Sequence, residues 1–411
     1  MNLTAPYSAA MTGEARRTSG PLVVLLGALT ALGPLTINLY LPAFPVISRE
    51  FGVGQGEVQL TMTAALVGIA IGQLVLGSVS DAAGRRAPLM VAYGGYAVVS
   101  LGIAASGDVT LLLALRLLQG LLGSAGMVIA LAVVRDTSEG IAVGRTISRL
   151  MLVVGVAPVL APALGSQLLL VGSWRLLFVV LAALAAVLVV LVALVLPESL
   201  PPELRRRGGT RSAARSYRTL LGDRTFLGLV LVAGLAMAGQ FTYVTASAFV
   251  FQETYGLSAQ QYGVLFGVCA VTVTLGTQVT GFLLGRARGT RIAGVALAVA
   301  LGGAVGIAVV ALTVGTGPGR LWALLVVLLP TIGAIGMLIP AIPGIALARQ
   351  THDAGSAAAL IGASQFGMAA LGAPLSGVLG GSVLAMGGVM VVAFALAGAT
   401  LLAVARRERE L

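Results

Sequence analysis

The chain has 411 residues, of which 58% are apolar and only 9% are charged. A water-soluble protein carries about a quarter charged residues, so this composition cannot cover a soluble surface. The 56 glycines follow no three-residue period, which excludes collagen, and the high hydrophobicity excludes intrinsic disorder. The composition therefore predicts a polytopic membrane protein.

The charge is lopsided, with 25 basic and 14 acidic residues and a net charge of +11. In a soluble protein this excess would suggest a nucleic-acid partner. In a membrane protein it is explained by basic cytoplasmic loops, so no nucleic-acid partner is expected. The single cysteine, Cys269, cannot form an intrachain disulfide, and its apolar neighbours predict a packing residue.

Twelve apolar runs are long enough to cross a bilayer, which requires about 20 residues. They are predicted at 21–43, 58–80, 87–106, 109–134, 146–169, 173–196, 225–250, 260–285, 291–315, 320–347, 354–380 and 382–405. The first run is long enough to stay in place as a span, so no signal peptide is expected. The fold class is predicted to be an all-α polytopic membrane protein with two six-helix bundles.

The longest polar stretch separates the sixth and seventh runs and predicts a linker between the two bundles. The predicted domains are a cytoplasmic tail (1–20), the amino-terminal bundle (21–196), the cytoplasmic linker (197–224), the carboxy-terminal bundle (225–405) and a second cytoplasmic tail (406–411).

The arginines fall mostly on one side of this layout. Of the 25, the layout puts 21 on one side and three (Arg49, Arg175 and Arg320) on the other, and Arg116 alone remains inside a span. Positive charge marks cytoplasmic loops, so both termini are predicted to lie in the cytoplasm.

Small residues at four-residue spacing, such as Gly68 with Gly72 and Gly281 with Gly285, predict helices that approach closely. Prolines inside the runs are expected to bend the helices. They are Pro34, Pro42, Pro158, Pro162, Pro330, Pro340 and Pro343.

The loop after the second run reads GSVSDAAGRR over 77–86. Gly77 is expected to permit close helix contact, and Asp81 is expected to cap the positive end of a neighbouring helix. Gly84 would allow the turn, while Arg85 and Arg86 would hold it on the cytoplasmic face. The loop resembles the signature loop of the major facilitator superfamily, which implies a latch between two halves that is made and broken during transport.

The fourth and fifth runs carry two further motifs. The stretch from Arg116 through Gln119 to Gly120 resembles the arginine motif of the same superfamily. An arginine inside a span is costly, which favours a functional role over one that only holds helices together. The fifth run resembles the antiporter motif of exporters in the superfamily. Its motif residues are Gly155, Pro158, Pro162 and Gly165.

The chain after residue 20 resembles the Bcr/CflA drug-resistance exporters, a twelve-span drug/proton antiporter subfamily. The resemblance lies in residues 35–47, 157–162, 196–200 and 354–357. It implies efflux of chloramphenicol-like drugs coupled to protons by alternating access, which gives antibiotic resistance. The resemblance also implies a protein of the bacterial inner membrane that needs no metal or cofactor and works as a monomer.

One position departs from the subfamily pattern, which has aspartate where this chain has Asn38. A buried carboxylate can carry a proton near neutral pH, whereas an amide cannot. Two explanations stay open. Either Asp81 or Asp136, at the membrane edge, carries the coupling proton, or Asn38 is a natural or engineered change that mimics a permanently protonated site.

A shared cavity is predicted from depth. Asn38 would lie ~8 Å and Arg116 ~11 Å from the outer ends of their spans at 1.5 Å per residue, and Tyr243 would lie at a similar height. The predicted lining is Asn38, Tyr40, Arg116, Gln119, Tyr243 and Gln365, with Met62 and Met151 as adaptable apolar surface or plain packing. With Arg116 as its only charge, this cavity would favour neutral, zwitterionic or weakly acidic drugs over lipophilic dications.

Other classes of protein fit less well. An enzyme would need catalytic pairs or metal ligands inside the spans, but the only histidine, His352, falls in a predicted loop. The sequence also lacks a phosphate-binding loop for ATP-driven pumping. The remaining alternative is an importer or uniporter of a small polar nutrient without proton coupling.

Overall fold

The computed structural model describes residues 20–138, 141–205, 209–317, 319–350 and 354–410. Within these ranges the structure is all helical and contains 12 helical segments that are long and apolar enough to cross a membrane. They follow the predicted runs in order, which confirms the fold class. Most of the predicted amino-terminal tail and His352 lie outside the described residues.

The amino-terminal half comprises eight helices. They are α1 (Gly20–Asn38), α2 (Phe44–Phe51), α3 (Gln55–Ala83), α4 (Arg86–Ala104), α5 (Val109–Gly123), α6 (Ala125–Thr137), α7 (Ile141–Val171) and α8 (Arg175–Val195). A further helix, α9 (Gly209–Gly222), belongs to the linker. The helices of the carboxy-terminal half are α10 (Arg224–Phe249), α11 (Ala259–Leu284), α12 (Gly289–Thr313), α13 (Leu321–Ala348), α14 (Ala354–Gly372), α15 (Leu375–Val378) and α16 (Val383–Glu410).

The first span is longer than predicted. It does not end at residue 43 but passes through a 3₁₀ turn at Leu41–Ala43 into α2, which ends at Phe51. Pro45 sits in the first turn of α2, where its missing N–H is tolerated. Asn38 is the last residue of α1 and stands at the break before this turn, so the helical segment continues beyond the predicted end of the span, and the depth of Asn38 stays a prediction.

Glycines set the closest helix contacts inside the amino-terminal half. A Cβ on Gly68 would lie 2.0 Å from the Leu117 carbonyl oxygen, and one on Gly120 would lie 2.0 Å from that of Ala65. The backbones of α3 and α5 therefore touch. The predicted pair of Gly281 and Gly285 makes no such contact, since a Cβ at Gly281 would have no neighbour within 4 Å.

The two halves pack through α3 against α14 and through α7 against α11. Hydrogen bonds cross between them around the 3₁₀ turn that precedes α2 and where α3 and α11 begin, and we call this the closed end. They include Gly377 N–H to Gln59 Oε1 at 3.0 Å, Gln252 Nε2 to the Pro42 carbonyl at 3.3 Å, Gln260 Nε2 to the Ser166 carbonyl at 3.0 Å and Gln55 Nε2 to Glu253 Oε2 at 2.9 Å.

Candidate functional site

Arg116 lies inside the amino-terminal half and has no exposed surface. Its Nη1 donates to Gln119 Oε1 at 2.6 Å and to the Thr36 carbonyl oxygen at 3.2 Å. Its guanidinium carbon stands 4.2 Å from the centre of the Tyr40 ring and 5.8 Å from that of Phe178. All these partners belong to the amino-terminal half, so Arg116 braces α5 against α1 and α8.

The Arg116 guanidinium is only partly satisfied. Its Nε and Nη2 have no hydrogen-bond partner, and none of the ion pairs seen among the described residues includes it. A desolvated cation–π contact is worth about 2 kcal/mol, whereas a charge inside a membrane costs about 2.5–3.5 kcal/mol or more. The ring of Tyr40 therefore offsets only part of the cost of burying this charge.

The Asn38 side chain donates a hydrogen bond to the backbone of its own helix. Its Nδ2 donates to the Pro34 carbonyl oxygen at 2.8 Å, and 7% of the residue is exposed. A protonated carboxyl could donate the same bond, but an ionised carboxylate has no donor. At this position the amide thus preserves the hydrogen-bond pattern of a protonated acid.

The structure brings Arg116, Gln119 and Tyr40 into contact, and a cavity shared by all the predicted lining residues stays a prediction. Tyr40, Gln119 and Met62 are fully buried, like Arg116, whereas Met151 is 39% exposed. The depth of a residue along its helix does not determine the direction in which its side chain points. Residues at the same height can therefore face the interior of their own half.

The two predicted lining residues of the carboxy-terminal half, Tyr243 and Gln365, have different surroundings. Tyr243 is buried and stacks on Phe266, with ring centres 6.0 Å apart. Gln365 is half-buried and lines a small cavity, of about 10 Å³, between α10, α13 and α14. The cavity is lined by Ala233, Ala236, Met237, Gln240, Ile335, Leu338, Ile339 and Gln365.

Gln240 is the residue of this cavity that sequence reasoning missed. Its Oε1 is buried and has no hydrogen-bond partner. The signal was visible, because Gln240 is a glutamine within the apolar seventh run. Tyr243, one helical turn further along, was selected instead, on its height alone.

At the predicted latch, Arg85 joins the two acidic residues that were candidates for proton coupling. Its Nη1 donates to Asp81 Oδ1 at 2.5 Å, and its Nε donates to Asp136 Oδ2 at 2.9 Å. Burial lowers the pKa of Arg85, but the two carboxylates outweigh this effect and hold it above its ordinary value. Arg86 turns away and donates to the Ala193 carbonyl oxygen of α8.

The cap that was predicted for Asp81 is supplied by Glu198. The Glu198 carboxylate accepts the backbone N–H groups of Arg85 at 2.8 Å and Arg86 at 3.2 Å, at the start of α4. Unpaired N–H groups at a helix start attract an anion. The cap comes from the linker segment because Asp81 already pairs with the Arg85 side chain.

The two glycines of the latch, Gly77 and Gly84, differ in whether a larger residue would fit in their place. Gly84 has φ +94°, and a Cβ there would lie 2.6 Å from Glu198 Oε2, so the predicted tight turn requires glycine. A Cβ on Gly77 would lie 3.5 Å from Val128 Cγ1, an ordinary contact. The close approach predicted at Gly77 is therefore absent.

The Glu198 cap predicts a specific dependence of stability on pH. Burial raises the pKa of Glu198, but the N–H donors outweigh it and hold the pKa below its ordinary 4.5. A carboxyl with a lowered pKa stabilises the fold above its unfolded pKa and loses that effect as the pH falls through its folded pKa. We expect Glu198→Gln to show a smaller drop in melting temperature than the unmodified protein between about pH 6 and pH 4.

The matched control is Glu203→Gln, which changes an exposed carboxylate of the same linker segment. Its melting temperature should depend on pH in the same way as that of the unmodified protein. Equal drops in melting temperature for the unmodified protein and Glu198→Gln would contradict the role of the cap.

The antiporter motif lies in α7, which stays helical through Pro158 and Pro162. A Cβ on Gly165 would lie 1.9 Å from the Leu39 carbonyl oxygen, so the end of the motif packs directly on the break in the first span. Across the two halves, a Cβ on Gly263 of α11 would lie 2.9 Å from the Pro162 carbonyl oxygen, whereas one on Gly155 would make an ordinary contact. The motif therefore lies between the break and the other half.

Two helical halves packed against each other, built from 12 segments long and apolar enough to cross a membrane, are the architecture of a multi-pass membrane protein. The profile described as Major Facilitator Superfamily matches residues 26–373. The chain belongs to that superfamily.

Comparison with other proteins agrees with this assignment. The chain is 37% identical over 373 residues to an uncharacterized MFS-type transporter, YdgK, of Bacillus subtilis (strain 168), covering 90% of this chain and 92% of that one. It is 30% identical to multidrug resistance protein D of Escherichia coli (strain K12) and 29% identical to a bicyclomycin resistance protein homolog of Haemophilus influenzae. Each of these two alignments covers 61% of this chain and 63% of the relative. The resemblance to the Bcr/CflA exporters is thereby confirmed.

Solved structures support the fold. The crystal structure of a bacterial homolog to the human lysosomal transporter Spinster, inward-facing and occupied, has a TM-score of 0.73 at 16% identity and covers 96% of this chain and 98% of that one. The crystal structure of a D-xylose-proton symporter has a TM-score of 0.71 at 16% identity, and the comparison covers 92% of this chain and 96% of that one. At these identities the likeness shows the fold alone.

Proposed function

We propose that this chain is a secondary active exporter that moves neutral or weakly charged amphipathic drugs out of a bacterial cell by alternating access, in exchange for protons. The observation that carries the proposal is the packing of two helical halves through α3 with α14 and α7 with α11, in a chain whose residues 26–373 match the Major Facilitator Superfamily. The relatives named for bicyclomycin and multidrug resistance support a drug as the substrate.

Export by alternating access requires the closed end to open. The hydrogen bonds across it join side-chain amides to backbone groups or, in one case, to a carboxylate, and such bonds are individually modest. A ligand shifts the balance between two such states only by its difference in affinity for them. In this proposal the closed end faces outward, both termini lie in the cytoplasm, and the working unit is a monomer.

The proton is assigned to the cluster of Arg85, Asp81 and Asp136. The described membrane-spanning helices hold no carboxylate near their middles, and Asn38 cannot titrate. Protonation of either aspartate would remove one of the two charge-assisted hydrogen bonds that hold the Arg85 side chain. Because this turn is the predicted latch, loss of such a bond couples the proton to movement of the halves.

Drug accumulation tests the proposal. Cells that produce the protein should hold less chloramphenicol than cells without it, and the difference should vanish when an uncoupler collapses the proton gradient. Higher accumulation in producing cells would instead support the alternative, an importer or uniporter of a small polar compound. An unchanged difference in the presence of the uncoupler would overturn proton coupling.

Replacing Asn38 with aspartate should restore a titratable group to the first span. An ionised carboxylate cannot donate to the Pro34 carbonyl oxygen, so the variant keeps the observed hydrogen bond only when protonated. We expect drug binding to Asn38→Asp to exchange protons with a weakly buffered solution, by about one proton more than the unmodified protein.

The matched control is Asn38→Ser, which changes the side chain without adding an acid and should exchange protons like the unmodified protein. A pH indicator dye reports the exchange on addition of chloramphenicol to purified protein. Identical proton counts for Asn38→Asp and Asn38→Ser would contradict the interpretation of Asn38 as a stand-in for a protonated acid.

A further inference from the structure

Three exposed arginines surround a cavity between the end of α11, the start of α12 and the last turns of α16. The cavity has a volume of about 600 Å³ and is lined by Arg286, Ala287, Arg288, Thr290, Arg291 and Ala405. This volume lies within the range of about 300–1,000 Å³ that is typical of sites for small molecules. The cavity therefore has room for a ligand beside three guanidinium groups.

The charge of these arginines is not compensated by the protein around them. None of the ion pairs formed among the described residues includes any of the three, and the sequence has no acidic residue between Glu253 and Asp353. The guanidinium carbon of Arg286 instead lies 3.6 Å from the centre of the Phe282 ring. Stacking uses the face of a guanidinium and leaves the N–H groups in its plane free to bind an anion.

The latch loop between α3 and α4 holds the same place in the amino-terminal half, but there carboxylates surround the arginine. Two aspartates pair with Arg85, and Glu198 caps the start of α4. In the loop between α11 and α12, Gly285 takes the place of Asp81, counted from the glycine four residues earlier in each loop. The Arg288 side chain does not cap α12 either. The second loop thus has the cations and the helix start of the latch, both of which attract an anion, without carboxylates from its own segment.

Exposed apolar side chains border the cavity on its membrane side. Phe282 of α11, Val295 of α12 and Leu402 of α16 are each more than half exposed. Each lies about one turn from a lining residue, further into its apolar helix. In a membrane these side chains contact acyl chains, so a ligand with an anionic head and apolar chains matches the cavity and its border together.

We propose that this cavity binds the phosphodiester headgroup of an anionic membrane lipid. The three arginines contact the phosphate oxygens, for which the planar guanidinium supplies paired N–H donors, and the acyl chains lie along the exposed apolar side chains. Basic pockets between membrane helices on the cytoplasmic side bind acidic headgroups in this way. The inference concerns a lipid, so it does not depend on which compound the protein transports.

Brominated lipids test the site, because bromine quenches the fluorescence of a nearby tryptophan. The reporter is Leu402→Trp in the purified full-length protein, and the emission of the two native tryptophans is subtracted with the unmodified protein. Vesicles of phosphatidylcholine contain brominated phosphatidylglycerol or brominated phosphatidylcholine at several mole fractions. We expect phosphatidylglycerol to be preferred roughly five- to thirtyfold at the reporter, the range for one or two arginines acting on one phosphate.

Two double variants, each made with the reporter, separate this site from a general attraction of lipid by positive charge. Arg286→Gln with Arg291→Gln should lower the preference for phosphatidylglycerol by about fivefold or more. Arg135→Gln with Arg218→Gln removes the same charge from exposed positions on α6 and α9, which do not line the cavity, and should keep the preference. Melting temperatures verify that both double variants are folded.

The outcomes separate this inference from the proposed function. Equal quenching by the two brominated lipids, an unchanged preference in Arg286→Gln with Arg291→Gln, or an equal fall in the control variant overturns the lipid site. Recovery of emission by inorganic phosphate, but not by sodium chloride of equal ionic strength, assigns the site to a free anion and also overturns it. Each of these results leaves the proposed drug export standing, since drug accumulation in cells tests that separately.

Discussion

Replacing Gly120 with alanine should sharply reduce the amount of folded protein. The added Cβ would lie 2.0 Å from the Ala65 carbonyl oxygen, and both the Cβ and that oxygen are attached to helix backbones that have no rotamer to change. The helices α3 and α5 must then separate. Overpacking of this kind costs about 1–3 kcal/mol where side chains can adjust, and we expect about 3 kcal/mol or more here.

The matched control for Gly120→Ala is Gly94→Ala, at a helical glycine of α4 whose added Cβ would meet nothing within 4 Å. This control should fold normally and gain up to about 1 kcal/mol from helix propensity. Size-exclusion profiles and melting temperatures in detergent compare the two variants. Equal melting temperatures for Gly120→Ala and Gly94→Ala would refute the direct backbone contact between α3 and α5.

Replacing Gly377 with alanine should open the closed end. A Cβ there would lie 2.5 Å from Gln59 Oε1 and 2.8 Å from the Gly56 Cα, across the boundary between the halves. The fold within each half is untouched, so the strain falls on the closed arrangement alone. A cost of about 2 kcal/mol changes the ratio of open to closed molecules roughly thirtyfold.

Distances between spin labels report this change. Labels at Glu57 and Ser382, two exposed positions at the closed end, would be attached in a background with Cys269→Ser. The distance distribution should move to longer values in Gly377→Ala. Gly367→Ala, on α14 with open space around its added Cβ, should leave it unchanged. An unchanged distribution in Gly377→Ala would refute the tight contact at the closed end.

Apolar length was sufficient to predict the twelve long apolar helical segments and their order, because lipid requires the same length and hydrophobicity of every spanning helix. The same rule misplaced the end of the first span. The segment around Arg49 and Glu50 is too polar to read as membrane helix, yet α2 continues the span through it. Hydropathy alone does not locate the end of a helix that combines buried apolar residues with charged residues near its end.

The candidate site was harder to predict than the spans. Arg116 was singled out as a charge within a predicted span, and it is fully buried, but the direction of its side chain depends on which neighbours pack around α5, and height along the helix says nothing about that. The Glu198 cap joins residues that are more than a hundred positions apart in the chain. Gln240 needed only the rule that a polar residue in an apolar span is a site candidate.

Arg116 also gives the amino-terminal half an electrical property. Its charge is held by contacts to α1, α5 and α8, and no acid among the described residues pairs with it. A membrane potential of 100 mV acts on one charge with about 2.3 kcal/mol for a full crossing. Because these contacts hold Arg116 in place, the electrical force on its charge acts on the whole amino-terminal half. Any rotation of this half therefore carries gating charge, and the voltage across the membrane biases its orientation in proportion to the field that Arg116 traverses.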